Sequence, residues 1–167
     1  MKTYILVITG PTGAGKTTIA TELAKQVDRC VNIEVDTVKH LIITGFIYGD
    51  SAAGVPQWEL LGTNIGMLAK NFQAAGYNVI INGYINEPAL DNIQKHVTLD
   101  RKVLLLPHVD TTIQRDSGRH DDIKMGEDSV REHNDYFSHT STYNDFTKID
   151  STEHSVAETL RIIKEML

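Results

Sequence analysis

Residues 10–17 match the spacing G-x-x-x-x-G-K-[ST], which is typical of a phosphate-binding loop. In such a loop, successive backbone N–H groups point inward, and the following helix adds unpaired donors and the positive end of its dipole. We expect Lys16 to reach the β- and γ-phosphates of a nucleotide and the Thr17 hydroxyl to ligate Mg²⁺. An ordinary glycine-rich turn that caps a helix has no need of this Lys-Thr pair. The pattern therefore predicts nucleotide contacts at Gly10, Thr12, Gly13, Ala14, Gly15, Lys16, Thr17 and Thr18.

The segments on either side of the loop have the periodicity that this chemistry requires. Thr3–Ile8 is an apolar run rich in β-formers and predicts a buried strand. Lys16–Val27 has apolar side chains at helical spacing and predicts an amphipathic helix. A strand, a glycine loop and a helix in this order surround one anion with backbone donors.

Apolar, β-rich runs and helical patterns alternate along the rest of the chain. This alternation predicts the α/β class, with a parallel sheet covered by helices on both faces. Ligands of such sheets bind at the carboxyl ends of the strands, so polar residues directly after each strand are the candidates for chemistry. The predicted strands are Thr3–Ile8, Val31–Val35, Asn78–Asn82, Lys102–Leu106 and Phe146–Asp150.

Two later helices have clear boundaries in the sequence. Apolar residues recur at steps of three and four from Trp58 to Ala75, and Gly76 stands where a C-terminal glycine belongs. Ser155 and Glu158 form a capping box that predicts the start of the last helix.

Asp36 directly follows the second predicted strand. A carboxylate there can accept the proton of a hydroxyl that attacks the γ-phosphate, or it can help to place Mg²⁺. A third interpretation is a helix N-cap, because Val38 begins a helical pattern. We predict that Asp36 is a catalytic residue in contact with the phosphate acceptor, and the metal role stays open beside it.

The third predicted strand ends in Asn82, Gly83 and Tyr84. Many proteins with this type of loop have an acidic residue near Mg²⁺ at that point. Asn82 is neutral, so its amide can hydrogen-bond a metal-bound water but cannot act as a base. A turn residue before Gly83 is the alternative interpretation. The neutral side chain increases the importance of Asp36.

Arg115 and Arg119 follow the fourth predicted strand and stand four residues apart. On a helix they share one face, where two guanidinium groups can neutralise the charge on a transferred phosphoryl group. The polar segment around residues 111–130 is therefore predicted to be an arginine-bearing lid. A solvated face, with Arg115 paired to nearby aspartates, is the alternative. We expect Met125, Tyr136 and Phe137 to belong to the core beneath this lid.

Composition limits the classes of protein to which the chain can belong. Its 167 residues, 41% of them hydrophobic, predict one globular domain over residues 1–167. The net charge of −6 argues against nucleic acid as the main partner. The single cysteine, Cys30, excludes an internal disulfide and suits the cytoplasm. No run is long enough for a signal-peptide core or a membrane span, and no feature indicates an oligomeric state.

Taken together, these residues resemble the small P-loop kinases, a group that includes shikimate kinase, gluconate kinase and the nucleoside monophosphate kinases. The loop at 10–17, the strand-two Asp36 and the arginines after strand four are most similar to the chloramphenicol phosphotransferase and zeta-toxin-like branch, whose members are often labelled AAA-type ATP-binding proteins. In that branch a pair similar to Val35-Asp36 supplies the catalytic base. The resemblance implies a three-layer P-loop NTPase fold with a five-stranded sheet in order 2-3-1-4-5. It also implies ATP, Mg²⁺ and transfer of the γ-phosphate to a hydroxyl.

The function expected from the sequence is an ATP-dependent kinase of a small hydroxylated molecule. Lys16, Asp36, Arg115 and Arg119 are the expected catalytic residues, and Thr17 and Asp36 the expected metal contacts. Tyr48, Trp58 and Tyr84 are candidate walls of the acceptor site, with burial in the core as the alternative. Ser151 and Thr152 are expected near the nucleotide base or at the start of the last turn. The rival interpretations are an ATP-binding regulatory module without transfer activity and a polynucleotide 5′-hydroxyl kinase.

Overall fold

The computed structural model describes residues 3–49, 51–118, 120 and 124–167. The five strands are β1 (Ile5–Thr9), β2 (Cys30–Glu34), β3 (Asn78–Asn82), β4 (Arg101–Leu105) and β5 (Thr147–Ile149). The helices are α1 (Lys16–Ala24), α2 (Val35–Lys39), α3 (Val55–Ala74), α4 (Glu87–Gln94), α5 (Val109–Ser117), α6 (Glu127–His139) and α7 (Val156–Lys164). A 3₁₀ turn at Ser141–Tyr143 precedes β5.

The strands form one parallel sheet in the order β2-β3-β1-β4-β5. This confirms the expected fold class and strand order. Because every strand runs in the same direction, the segments that leave the carboxyl ends of β1, β2 and β3 meet at one edge of the sheet. The glycine loop, Asp36 and Asn82 all lie at that edge.

Alternate residues of β1 enter two different hydrophobic cores. Ile5 and Val7 belong to the core that α3, α4 and the aromatic residues of α6 cover. Leu6 and Ile8 belong to the core that α1 and α7 cover. All four side chains are fully buried, as the continuous apolar run predicts.

The capping box predicted for the last helix is confirmed. Ser155 Oγ accepts from the Glu158 backbone N–H at 3.3 Å, and the Glu158 carboxylate accepts from the Ser155 N–H at 2.8 Å. Gly76 follows α3 with φ of +83°, the left-handed conformation that favours glycine after a helix end. None of the helices in the described ranges is long and apolar enough to cross a bilayer.

One core prediction was wrong. Met125 is 46% exposed, whereas Phe137 is fully buried. Met125 lies in an irregular segment directly before Gly126, which turns the chain into α6 with φ of +84°. The apolar character of Met125 could not show that this turn holds the side chain outside the core.

Candidate active site

The glycine loop connects β1 to α1 and lies close to β4 and α5. Gly10 has φ of +146°, and a Cβ added there would be 2.1 Å from the Leu105 carbonyl oxygen. Gly13 has φ of +82°, and its Cβ would be 2.5 Å from the Thr112 carbonyl oxygen. No side chain can occupy either position without displacing backbone. Glycine is therefore required for the loop to pack this tightly.

The two polar side chains at the end of the loop make different contacts. Lys16 Nζ donates a hydrogen bond across the loop to the Pro11 carbonyl oxygen at 2.8 Å. The Thr17 hydroxyl, in the first turn of α1, donates to Glu34 Oε1 at 3.2 Å. The loop thus holds a cation against its own backbone and connects its hydroxyl to a carboxylate at the end of β2.

Glu34 is a candidate residue that the sequence reasoning missed. It is the last residue of β2, and its Oε2 accepts a hydrogen bond from the Thr37 hydroxyl at 3.3 Å. The parallel pairing of β2 and β3 places Glu34 beside Asn82. A carboxylate therefore lies on the strand next to the position where many proteins with this type of loop have an acidic residue.

Asn82 is completely buried at the end of β3. Its Nδ2 donates to Asn32 Oδ1 at 2.8 Å, which fixes the orientation of the amide. Its Oδ1 is buried and has no hydrogen-bond partner in the part of the chain that the structure describes. Leaving such an oxygen unpaired costs about 1–3 kcal/mol. A water bound to a metal would satisfy it.

These side chains fit a magnesium ion that arrives with a nucleotide. The Thr17 hydroxyl, the Glu34 carboxylate and the Asn82 amide oxygen are the hard oxygen donors that Mg²⁺ and its waters prefer. Within the described ranges, no group of three or more His, Cys, Asp and Glu side chains could hold a metal ion alone. Mg²⁺ ordinarily keeps several waters and shares its coordination with substrate phosphates, so a magnesium site needs few protein donors.

Asp36 lies in the first turn of α2, where its side chain is 49% exposed. Its Oδ1 forms an ion pair with Lys39 Nζ at 2.5 Å, and the Lys39 side chain is only 12% exposed. The N-cap of α2 is Glu34, so the N-cap interpretation of Asp36 is wrong. Oδ2 has no hydrogen-bond partner among the residues described and is available to a substrate hydroxyl.

A cavity of about 320 Å³ extends from the glycine loop to the segment between β5 and α7. Arg115, in the last turn of α5, lines it and donates from Nη2 to the Ser151 carbonyl oxygen at 3.0 Å. Ser151 Oγ and His154 Nδ1 are buried there without a hydrogen-bond partner in the described ranges. The cavity is lined by Gly13, Ala14, Gly15, Thr18, Ile19, Arg115, Ser151, His154, Val156 and Thr159.

Hydrogen bonds fix the loop that carries Ser151. The His108 backbone N–H donates to Thr152 Oγ1 at 2.7 Å, and this contact joins the ends of β4 and β5. The Thr152 hydroxyl and backbone N–H both donate to Asp150 Oδ1, and these bonds lower the pKa of Asp150 below its usual range. Thr152 therefore orders the loop, and Ser151 is the residue that borders the cavity.

The three candidate acceptor walls belong to one chain of aromatic contacts. Phe46 contacts both Tyr48 and Trp58, with ring centroids 5.1 Å and 5.2 Å apart. Trp58 contacts Tyr84 at 5.9 Å. Trp58 is 4% exposed and Tyr48 is 63% exposed. Trp58 therefore supports the wall from the core, while Tyr48 and the half-buried Tyr84 can present ring surface.

His133, on α6, continues this aromatic chain to the glycine loop. Its ring centroid lies 4.9 Å from that of Tyr84, and its Nδ1 lies 2.9 Å from Thr12 Oγ1. Burial and the nearby Lys16 ammonium lower the pKa of His133, while Glu132 acts in the opposite direction. Because 121 residues separate the two partners, no local pattern could have indicated this contact.

Arg119, the second predicted lid arginine, lies outside the described residues. The structure therefore brings together the loop residues, Asp36 and Arg115 at the carboxyl edge of the sheet. Glu34 and His133 join them as residues that the sequence analysis did not single out.

A family model for chloramphenicol phosphotransferase-like proteins matches residues 3–167. The chain belongs to the chloramphenicol phosphotransferase-like family. This confirms the resemblance noted from the loop, Asp36 and the arginines. Membership of this family supports a kinase function that uses a nucleotide. No match is found among curated proteins.

Several solved structures share the fold. An unliganded sugar kinase from Janibacter sp. HTCC2649 has a TM-score of 0.75 at 17% identity, covering 98% of this chain and 94% of that one. A tunicamycin resistance protein from Deinococcus radiodurans has a TM-score of 0.68 at 15% identity, covering 98% and 93%. Thymidylate kinase from Candida albicans has a TM-score of 0.67 at 15% identity, covering 99% and 91%. At such low identities these similarities concern the fold alone.

Proposed function

We propose that this member of the family is an ATP-dependent kinase that transfers the γ-phosphate to a hydroxyl group of a small molecule. The observation that carries the proposal is the placement of two carboxylates at the carboxyl end of β2: Glu34, which contacts the glycine loop's Thr17, and Asp36, in the first turn of α2. Glu34 contacts the loop hydroxyl of Thr17, and Asp36 has one carboxylate oxygen available. One carboxylate therefore suits a metal, and the other suits an acceptor.

The glycine loop and Lys16 would bind the triphosphate. Lys16 Nζ leaves the Pro11 carbonyl oxygen for the phosphates, exchanging a neutral partner for charged ones. Thr17, Glu34 and Asn82 would hold Mg²⁺, which when bound neutralises charge on the β- and γ-phosphates. Arg115 lines the adjoining cavity, and its guanidinium would stabilise the charge that develops on the transferred group.

Asp36 would orient the acceptor hydroxyl and receive its proton. The acceptor oxygen forms a bond to the γ-phosphorus as the bond between that phosphorus and the bridging oxygen breaks, and ADP leaves with the electron pair. The proton moves from the hydroxyl to Asp36 Oδ2. Lys39 holds Oδ1, so the carboxylate has a fixed direction before substrate binds.

The segment after α2 would form the acceptor side of the site. Leu41 is 74% exposed and Ile43 is 87% exposed, close in sequence to Asp36. Exposed apolar side chains grouped in this way suit a ligand that covers them. Together with the rings of Tyr48 and Tyr84, they favour an acceptor with an apolar or aromatic part next to its hydroxyl.

The direct test is phosphate transfer from ATP to a panel of hydroxylated molecules. The panel should include antibiotics, sugars, nucleosides and a 5′-hydroxyl oligonucleotide, with products detected by mass spectrometry. We expect a phosphorylated small molecule. Tight ATP binding without transfer to any acceptor would favour the regulatory module, and transfer to the oligonucleotide with strong salt dependence would favour the polynucleotide kinase.

The metal assignment predicts a specific effect of Glu34→Gln. Loss of the carboxylate should raise the Mg²⁺ concentration needed for half-maximal nucleotide binding by about 10- to 100-fold, the range for residues that position metal ligands. Titration of Mg²⁺ with a fluorescent ATP analogue measures it. Glu22→Gln, which changes an exposed carboxylate on α1, is the matched control. An unchanged Mg²⁺ requirement in Glu34→Gln would contradict the assignment.

A further inference from the structure

His133 lies where the loop meets the aromatic wall. Its Nδ1 is 2.9 Å from the hydroxyl of Thr12, and its ring packs on that of Tyr84. The Pro11 carbonyl, next to Thr12 in the loop, accepts the hydrogen bond of Lys16. The imidazole is therefore fixed beside the part of the loop that would surround the terminal phosphate.

The two ring nitrogens of His133 differ in their contacts. Nδ1 is occupied by Thr12, and Nε2 makes no hydrogen bond within the described ranges. A protonated imidazole donates from both nitrogens, whereas a neutral one donates from only one. In the protonated form Nδ1–H could remain on the Thr12 hydroxyl while Nε2–H binds a phosphate oxygen.

The charges around His133 favour the neutral ring before nucleotide binds. The half-buried ring lies near the Lys16 ammonium, and together these lower its pKa. Glu132 on the same helix opposes the shift, and Tyr84 faces the ring from the loop after β3. On α5, Asp110 lies within ion-pair distance of Arg131. A triphosphate at the loop would reverse this balance, because its negative charge favours the imidazolium.

We propose that His133 takes up a proton when a nucleoside triphosphate binds and then donates a hydrogen bond from Nε2 to the terminal phosphate. This inference rests on the proposed use of ATP and adds a proton-linked binding residue to it. The proton comes from solvent, and no covalent bond changes. Nucleotide affinity therefore gains a contribution from His133 as the pH falls from the pKa of the nucleotide-bound state to the lower pKa of the free state.

Isothermal titration calorimetry in two buffers of different ionisation enthalpy measures this proton uptake. When a nonhydrolysable ATP analogue binds with Mg²⁺ at pH 7, the wild-type protein should take up more than about half a proton per site. His133→Asn should remove that uptake, because the amide can still bond the Thr12 hydroxyl but cannot become a cation. The nucleotide affinity of the wild type should rise about two- to fivefold more between pH 8 and pH 7 than that of His133→Asn.

Two further variants assign the proton to His133. His139→Asn changes an exposed histidine on the same helix and should keep the full uptake. His154→Asn changes a histidine that lines the cavity next to the glycine loop, and we expect it to keep the uptake as well. Proton uptake that survives His133→Asn but disappears in His154→Asn would overturn the proposal.

The same titrations separate this inference from the proposed function. Nucleotide binding with equal heat in both buffers would refute the role of His133 and leave ATP use intact. Absence of binding to the wild-type protein would overturn both. The imidazole Cε1–H resonance of His133 gives an independent check: it should titrate at a higher pH with the analogue than without it, and an unchanged midpoint would contradict the proposal.

Discussion

Replacement of Lys16 with alanine should lower phosphate transfer by at least about a hundredfold, the loss that follows removal of one preorganised charge-stabilising group. The ammonium lies against the loop backbone at Pro11, 2.8 Å from its carbonyl oxygen. From there it needs only a side-chain rotation to reach the β- and γ-phosphates. Nucleotide affinity should fall as well, because the cation contacts the phosphates before transfer begins. Steady-state kinetics and calorimetry with ATP measure the two effects.

Lys25→Ala is the matched control for this prediction. Lys25 follows the same helix, its side chain is 63% exposed, and it forms an ion pair with Glu22. An exposed pair of this kind contributes only about 0–1 kcal/mol to stability, so transfer and affinity should stay close to those of the wild type. A Lys16→Ala protein that bound and used ATP normally would show that the loop is not the nucleotide site.

The family resemblance implied the order of the sheet, and the sequence pattern predicted its strands but not the ends of every one. The predicted bounds of Asn78–Asn82 are confirmed, whereas β1 is Ile5–Thr9 rather than Thr3–Ile8. Pairing with the neighbouring strands sets these ends, since Ile5 is paired with Val79 on β3 and Thr9 with Leu104 on β4. Such partners lie far away in sequence, and apolar periodicity cannot specify them.

Local turns account for two of the other shifted boundaries. Val27 continues the apolar pattern of the first helix, yet its N–H bonds the Ala24 carbonyl three residues back, so the chain leaves the helix in a tighter turn. Phe146, the predicted start of the last strand, is buried, but its N–H bonds the Tyr143 carbonyl and closes the turn before β5. In both places the side chain is at least partly buried, but the backbone hydrogen bond belongs to a turn and not to the predicted element. Apolar periodicity indicates only the burial.

Candidate site residues could be predicted from the sequence where one segment carries them, but not where distant segments meet. The spacing of the glycine loop is local, and so is Asp36 directly after a strand. Glu34 follows Ile33 on β2, and Ile33 belongs to the core that α3 and α4 cover. Alternation therefore places the Glu34 side chain on the opposite face of the sheet, toward α1. That signal was present, but its meaning depends on Thr17, which belongs to another element. His133 had no local signal, because packing of α6 alone brings it to Thr12.

Asp36→Asn should reduce transfer to the acceptor by about 10²- to 10⁴-fold, the range for loss of a general base. ATP affinity should change little, because Asp36 makes its proposed contact with the acceptor and Thr17 and Glu34 serve the metal. The amide keeps the shape of the side chain but cannot accept the hydroxyl proton. Single-turnover transfer and nucleotide binding, measured on the same preparation, separate the two effects.

The ion pair with Lys39 requires its own control. Asp36→Asn also removes a contact at 2.5 Å, and a helical pair of this kind contributes about 0.3–0.5 kcal/mol to stability. Lys39→Met removes the same pair while the carboxylate remains, so any loss that both variants share reflects positioning of Asp36. The loss found only in Asp36→Asn measures the carboxylate itself. If Asp36→Asn transferred phosphate at the wild-type rate, the base would have to be another group, and Glu34, two residues earlier at the same strand end, would be the next carboxylate to change.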